Sequence, residues 1–124
     1  MKRFVFALLL LTTPCFAQSS PPPPALPTTN TAVAITTGNT FQTILSSVAS
    51  GSNARRSLTI QNNNASDSCW LAFGVGVTAG TATKAGSILL LAGGSYVRYF
   101  PYVPSDEIEA TCATTADTLY VAIQ

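Results

Sequence analysis

Glu107 and Glu109 come nearest, in type and spacing, to a catalytic pair. Side chains two apart on a strand lie on one face, roughly 6.5–7 Å from each other. That gap is close to the one inverting glycosidases leave between acid and base. Asp106 stands just before the pair. Two acids at this spacing are equally ordinary on a solvated strand face, and no flanking residue marks either carboxyl as buried. With Asp67 or Asp117 they would also offer the hard oxygen ligands of a weak Ca2+ site. The chain contains no His, the commonest general base and metal ligand. His-dependent triads and the HExxH zinc motif are thereby excluded. We expect no catalytic residue, no metal and no cofactor; a small glycoside hydrolase is the distant alternative.

Gly74-Val75-Gly76-Val77-Thr78-Ala79 has the GxGxxA form of a dinucleotide fingerprint. The fingerprint requires a helix whose N-terminus meets the pyrophosphate. The following Gly80-Thr81-Ala82-Thr83-Lys84-Ala85-Gly86 is a poor helix, so a glycine-rich loop is expected. Lys84 after Thr83 lacks the Gly-Lys-Ser/Thr order of a P-loop. Arg55-Arg56 is the only paired basic cluster of the region beyond residue 17, too small a footprint for nucleic acid, and suits a charged strand edge. Asn64-Ala65-Ser66 is a glycosylation sequon in form, within an Asn62-Asn63-Asn64 run that reads as a turn.

The aromatic group is more distinctive. Tyr96, Arg98 and Phe100 alternate onto one strand face, with Tyr99 on the other and Tyr102 nearby. Aromatic rings with a cation stack on sugars or form a protein interface. Tyr96, Arg98, Phe100 and Tyr102 are therefore the expected binding residues, for a protein surface or a cell-surface glycan.

The elements that must hold these residues follow from pattern. Lys2 and Arg3 precede an apolar run of eight residues, 4–11, and Cys15-Phe16-Ala17 ends in a small residue. This is the architecture of a secretory signal peptide, so residues 1–17 are expected to be an address removed after Ala17. Pro14 before Cys15 disfavours the rival reading of a lipidated Cys15. The run is shorter than the ~18 residues of a membrane span. Residues 18–31 are expected to be a tether, because four consecutive prolines, 21–24, with Pro27 behind them favour extended polyproline II.

Residues 32–124 read as one β domain. Runs rich in Thr, Val, Ile and aromatics alternate with Gly, Asn, Ser and Asp clusters, and no window has helical periodicity. Strands are expected at residues 32–36, 41–46, 57–61, 69–73, 87–91, 95–100, 107–112 and 119–123. The apolar run 87–91 suggests a strand covered on both sides. Alternation turns Ile108, Ala110 and Cys112 inward and Glu107, Glu109 and Thr111 outward. Eight short strands imply an all-β antiparallel sandwich of jelly-roll type. Cys69 shares a face with Leu71 and Phe73, so both Cys69 and Cys112 point at the core, and one disulfide is expected in an exported chain.

Charged residues make up 9% of the 124-residue chain, which fits neither a nucleic-acid binder nor a charged disordered tail. Beyond residue 17, four basic side chains face five acidic ones, a formal charge of −1. Solubility must then come from Ser, Thr, Asn and Gln.

The order of segments resembles a known group. Asn53-Ala54-Arg55-Arg56-Ser57-Leu58-Thr59-Ile60-Gln61-Asn62 is similar to an N-x-R-R-x-L-x-I-Q-N opening. A strand ending in Phe73-Gly74 follows, then Ile88-Leu89-Leu90-Leu91-Ala92-Gly93-Gly94-Ser95-Tyr96, which resembles I-x-L-x-x-G-x-S-Y. Leu119-Tyr120-Val121-Ala122-Ile123 resembles a closing L-x-V-x-x strand. These motifs, spanning residues 49–124, resemble small β-sandwich accessory or decoration (virion) proteins of tailed bacteriophages and prophages. The resemblance implies a non-enzymatic component that binds a repeating protein surface or host glycans, with a homo-oligomer as a further expectation. The signal peptide and the cysteine pair shift the expected location to periplasm, cell surface or medium, with the virion as alternative.

Overall fold

The computed structural model describes residues 28–49, 55–74 and 82–124. Eight strands carry the fold: β1 (Thr29–Ala34), β2 (Gln42–Leu45), β3 (Ser57–Asn62), β4 (Cys69–Phe73), β5 (Ile88–Leu90), β6 (Ser95–Tyr99), β7 (Ile108–Cys112) and β8 (Thr118–Ile123). Each expected strand is present, within a few residues of its expected bounds. β1 opens at Thr29, so the last three residues expected in the tether belong to the sheet. The expected signal peptide and residues 18–27 of the tether lie outside the described residues, as does most of the glycine-rich motif after Gly74.

Two four-stranded sheets form, in the orders β1-β8-β3-β6 and β2-β7-β4-β5. Every pairing is antiparallel. The pairs β1–β8, β2–β7, β3–β6 and β4–β5 are those of one long hairpin, its first arm β1 to β4 and its second β5 to β8. Rolling that ribbon places its sections alternately in the two sheets, which is the jelly-roll wrap.

The core lies between the sheets because alternation gives each strand one apolar face. One sheet contributes Leu58, Ile60, Leu119 and Val121; the other contributes Cys69, Leu71, Leu90, Ile108, Ala110 and Cys112, with Ile35 and Ile44 completing the cluster. A bulge in β2, where the register shifts between Thr43 and Leu45, lets Ile44 and Leu45 both reach that core.

Cys69 and Cys112 are register partners in β4 and β7 and form a disulfide within one sheet. Both are fully buried, as the alternation required. Elsewhere, polar side chains stitch the loops. Asn62, with no exposed surface, donates to the carbonyls of Asp67, Leu90 and Leu91, while its Oδ1 accepts from the Asn64 backbone and side chain. Asn64 Oδ1 in turn accepts from the Thr118 N–H at 3.1 Å. The sequon asparagine is thus a structural tie between loops. The turn into β6 closes with Gly94 N–H on the Leu91 carbonyl, and Gly93 supplies the positive φ of 70° that such a turn needs.

Two expectations about exposure are corrected. β5 is an edge strand, with Ile88 and Leu89 41% and 50% exposed, rather than one covered on both sides. A short apolar run marks a strand but not its place in the sheet. Glu109 and Thr111 do point outward, yet neither has exposed surface, so this is not a solvated strand face.

Candidate interaction surface

β5 and β6 are the edge strands of opposite sheets, joined by the Leu91–Gly94 turn, and so form one side wall of the sandwich. Among the described residues the exposed large hydrophobic side chains are Ile88, Leu89, Leu91, Tyr99, Phe100 and Tyr102. All of them lie along the two edge strands or just beyond them, with Leu89 (opposite Trp70) and Tyr99 (opposite Ser57) facing outward from different sheets. Apolar surface gathered in one place, rather than scattered, marks an interaction site.

The register explains which rings are free. Tyr96 is opposite Ile60 and Arg98 opposite Leu58, two core residues, so this parity of β6 faces inward. Tyr96 is half-buried: its ring packs on Phe73 with centroids 4.9 Å apart, and the Arg98 guanidinium lies over the ring, 4.6 Å from its centroid. Arg98 Nη1 also donates to the Val97 carbonyl at 3.1 Å. Tyr96 therefore closes the edge of the core, with Arg98 covering it. Tyr99 is opposite Ser57, on the outward parity, and is 68% exposed. Phe100 and Tyr102 follow the end of β6 and are 72% and 79% exposed.

Of the four residues expected to bind, Phe100 and Tyr102 are exposed, Arg98 lies against the Tyr96 ring, and Tyr96 turns toward the core. Tyr99 replaces it. The sequence does not reveal this exchange, since Tyr96 shares parity with the charged Arg98 and Tyr99 with the apolar Val97.

The remaining candidates have structural roles. Arg55 is buried and donates to the carbonyls of Ser46, Pro104 and Asp106, joining the loop after β2 to the loop before β7. Burial lowers its pKa and the charge of Asp106 opposes that shift. Arg56, by contrast, is exposed. Lys84 sits 3.9 Å above the Trp70 ring and donates to Asn39 Oδ1 at 2.6 Å. It thereby fastens the short 3-10 turn at Lys84–Gly86 over the outer face of its sheet.

Glu107 Oε1 accepts from the Thr43 hydroxyl. Glu109 has no exposed surface, and among the described residues neither carboxylate oxygen has a hydrogen-bond partner. Burial raises its pKa, and the neighbouring Glu107 adds to the shift. A carboxyl so enclosed presents no atom for a glycosidic oxygen to reach in this conformation. Asp117 lies within 4.8 Å of the Cys69 and Cys112 sulfurs. Those sulfurs are bonded to each other and so offer no thiolate to a metal. Asp117 accepts from the Thr114 N–H instead, which shapes the β7–β8 turn.

Among the described residues, no helix is long and apolar enough to cross a membrane. Comparison with protein-family models, with curated proteins and with solved structures finds no match to this chain.

Proposed function

We propose that this chain is an exported, non-catalytic interaction module that docks on a protein surface through its β5–β6 wall. The observation that carries the reading is the gathering of Ile88, Leu89, Leu91, Tyr99, Phe100 and Tyr102 along one edge of the sandwich. Aromatic side chains with low conformational freedom are the usual anchors of such interfaces. The disulfide supports export, because such bonds persist in oxidising compartments. The sequence resemblance to phage and prophage accessory proteins supplies the class of partner: a repeating protein surface, on a particle or on the bacterial envelope.

The test is a binding comparison. The triple variant Tyr99→Ser, Phe100→Ser, Tyr102→Ser should keep the melting temperature of the parent and lose adsorption to purified envelopes or particles. Unchanged adsorption would remove the wall from the account.

Glycan recognition is the second reading, favoured by two exposed tyrosines beside Arg98. It requires that a glycan array lose its signal when Tyr99 and Tyr102 are replaced by Ala.

A further inference from the structure

We propose that the aromatic end of this wall, Tyr99, Phe100 and Tyr102, is the docking site of the chain's own proline-rich stretch, residues 21–27. The inference rests on the reading of the wall as a docking surface and adds its resident occupant.

The backbone register brings the two together. Thr29 pairs with Ile123, Ile123 with Leu58, and Leu58 with Arg98. The first residue of β1 and the residue before Tyr99 therefore lie on one row across the sheet. Three strand spacings separate them, about 14 Å. One step further along, Ser57 pairs with Tyr99 and exchanges backbone hydrogen bonds with Gln124, so Thr28 lies at the end of the sheet where β6 leaves it. The chain before β1 thus arrives at the same end as the exposed aromatics.

The length of the stretch matches the distance. Polyproline II advances about 3.1 Å per residue, so Pro24 lies within about 12 Å of Thr28 and Pro21 within about 22 Å. The four consecutive prolines bracket the span from the start of β1 to Tyr99.

The chemistry matches as well. Aromatic-lined surfaces accept polyproline segments because prolyl rings stack on aromatic faces and the preformed helix loses little entropy on docking. Proline has no N–H to leave unsatisfied. Its carbonyls need donors, and the Tyr99 and Tyr102 hydroxyls and the Arg98 guanidinium supply them. The stretch would then cover the aromatic end and leave Leu89 and Leu91 open.

The test compares amide NMR spectra of the purified protein and of a variant carrying Pro21→Gly, Pro22→Ser, Pro23→Gly and Pro24→Ser. These positions lie outside the strands, so the variant keeps the sandwich, which its unfolding curve checks. Beyond residues 18–28, whose own amides change with the substitutions, we expect shift changes confined to Arg98, Tyr99, Phe100 and Tyr102, unchanged on dilution, and reversed by a free peptide of residues 18–28. Identical amide shifts at Arg98, Tyr99, Phe100 and Tyr102 in the two proteins would overturn the proposal. So would changes that vanish on dilution, which would make a second copy the occupant. The wall itself is tested separately: if the Tyr-to-Ser variant loses adsorption while the proline variant shows no shift, the docking surface stands and its self-occupancy falls.

Discussion

Glu109 carries a carboxyl that the strand pleat turns outward and that the folded chain nevertheless removes from water, with both oxygens unpartnered among the described residues. Burial, seconded by Glu107, raises its pKa above the ordinary Glu value. The sign of the pH effect follows from linkage. Below the pKa of the unfolded chain Glu109 is protonated in both states, and its contribution is most favourable there. As pH rises toward the elevated folded value, the unfolded chain releases its proton first, and that contribution is lost. Glu109→Gln should therefore be more stable than the parent at neutral pH and show a flatter stability profile between the two values. Urea midpoints measured across that range check this; parallel profiles would contradict it. Arg55 makes the opposite prediction. Its guanidinium satisfies three carbonyls from two loops. Arg55→Leu strands those acceptors and should cost about 2–4 kcal/mol in urea unfolding, in line with the loss of charge-assisted hydrogen bonds.

At the scale of the elements, β4 and β7 hold the molecule's one covalent cross-link among the described residues. The bridge closes a sequence separation of 43 residues. In the chain-entropy account such a loop contributes about 4 kcal/mol. The double variant Cys69→Ser, Cys112→Ser should lose roughly that much, read as a lower urea midpoint that reduction of the parent reproduces. The pairing was legible in the sequence because alternation placed both sulfurs inward. That they are direct partners in one sheet was not, since a period of two says which side a residue faces and nothing about its neighbour strand. The same limit explains β5: Ile88–Leu90 reads as apolar whether it sits at the centre or the edge. In β6 the run Ser95–Tyr99 places aromatics on both faces, so only the pairing with Ile60 and Leu58 reveals that Tyr96 goes inward and Tyr99 outward. Likewise the pleat gives the direction of Glu109 but not what covers it.

For the whole molecule, the all-β class and its eight strands were written in the spacing of turn residues, while the jelly-roll wrap depends on long-range pairings. Those pairings leave β5 and β6 as edges on the same side, and edge strands with apolar side chains call for a partner or a cover. Export is tested on the whole chain by intact mass. The secreted product should lack residues 1–17 and two hydrogens at the cysteines; an uncleaved, reduced chain in purified particles would contradict export.

The docking wall itself is tested most directly by photo-cross-linking in producing cells, with a benzophenone side chain placed at Tyr99, at Leu89 or, on the opposite edge of the sandwich, at Asn30. The account predicts a discrete adduct from Tyr99 and Leu89 and none from Asn30. Equal adducts from all three positions, or an adduct from Asn30 alone, would contradict it.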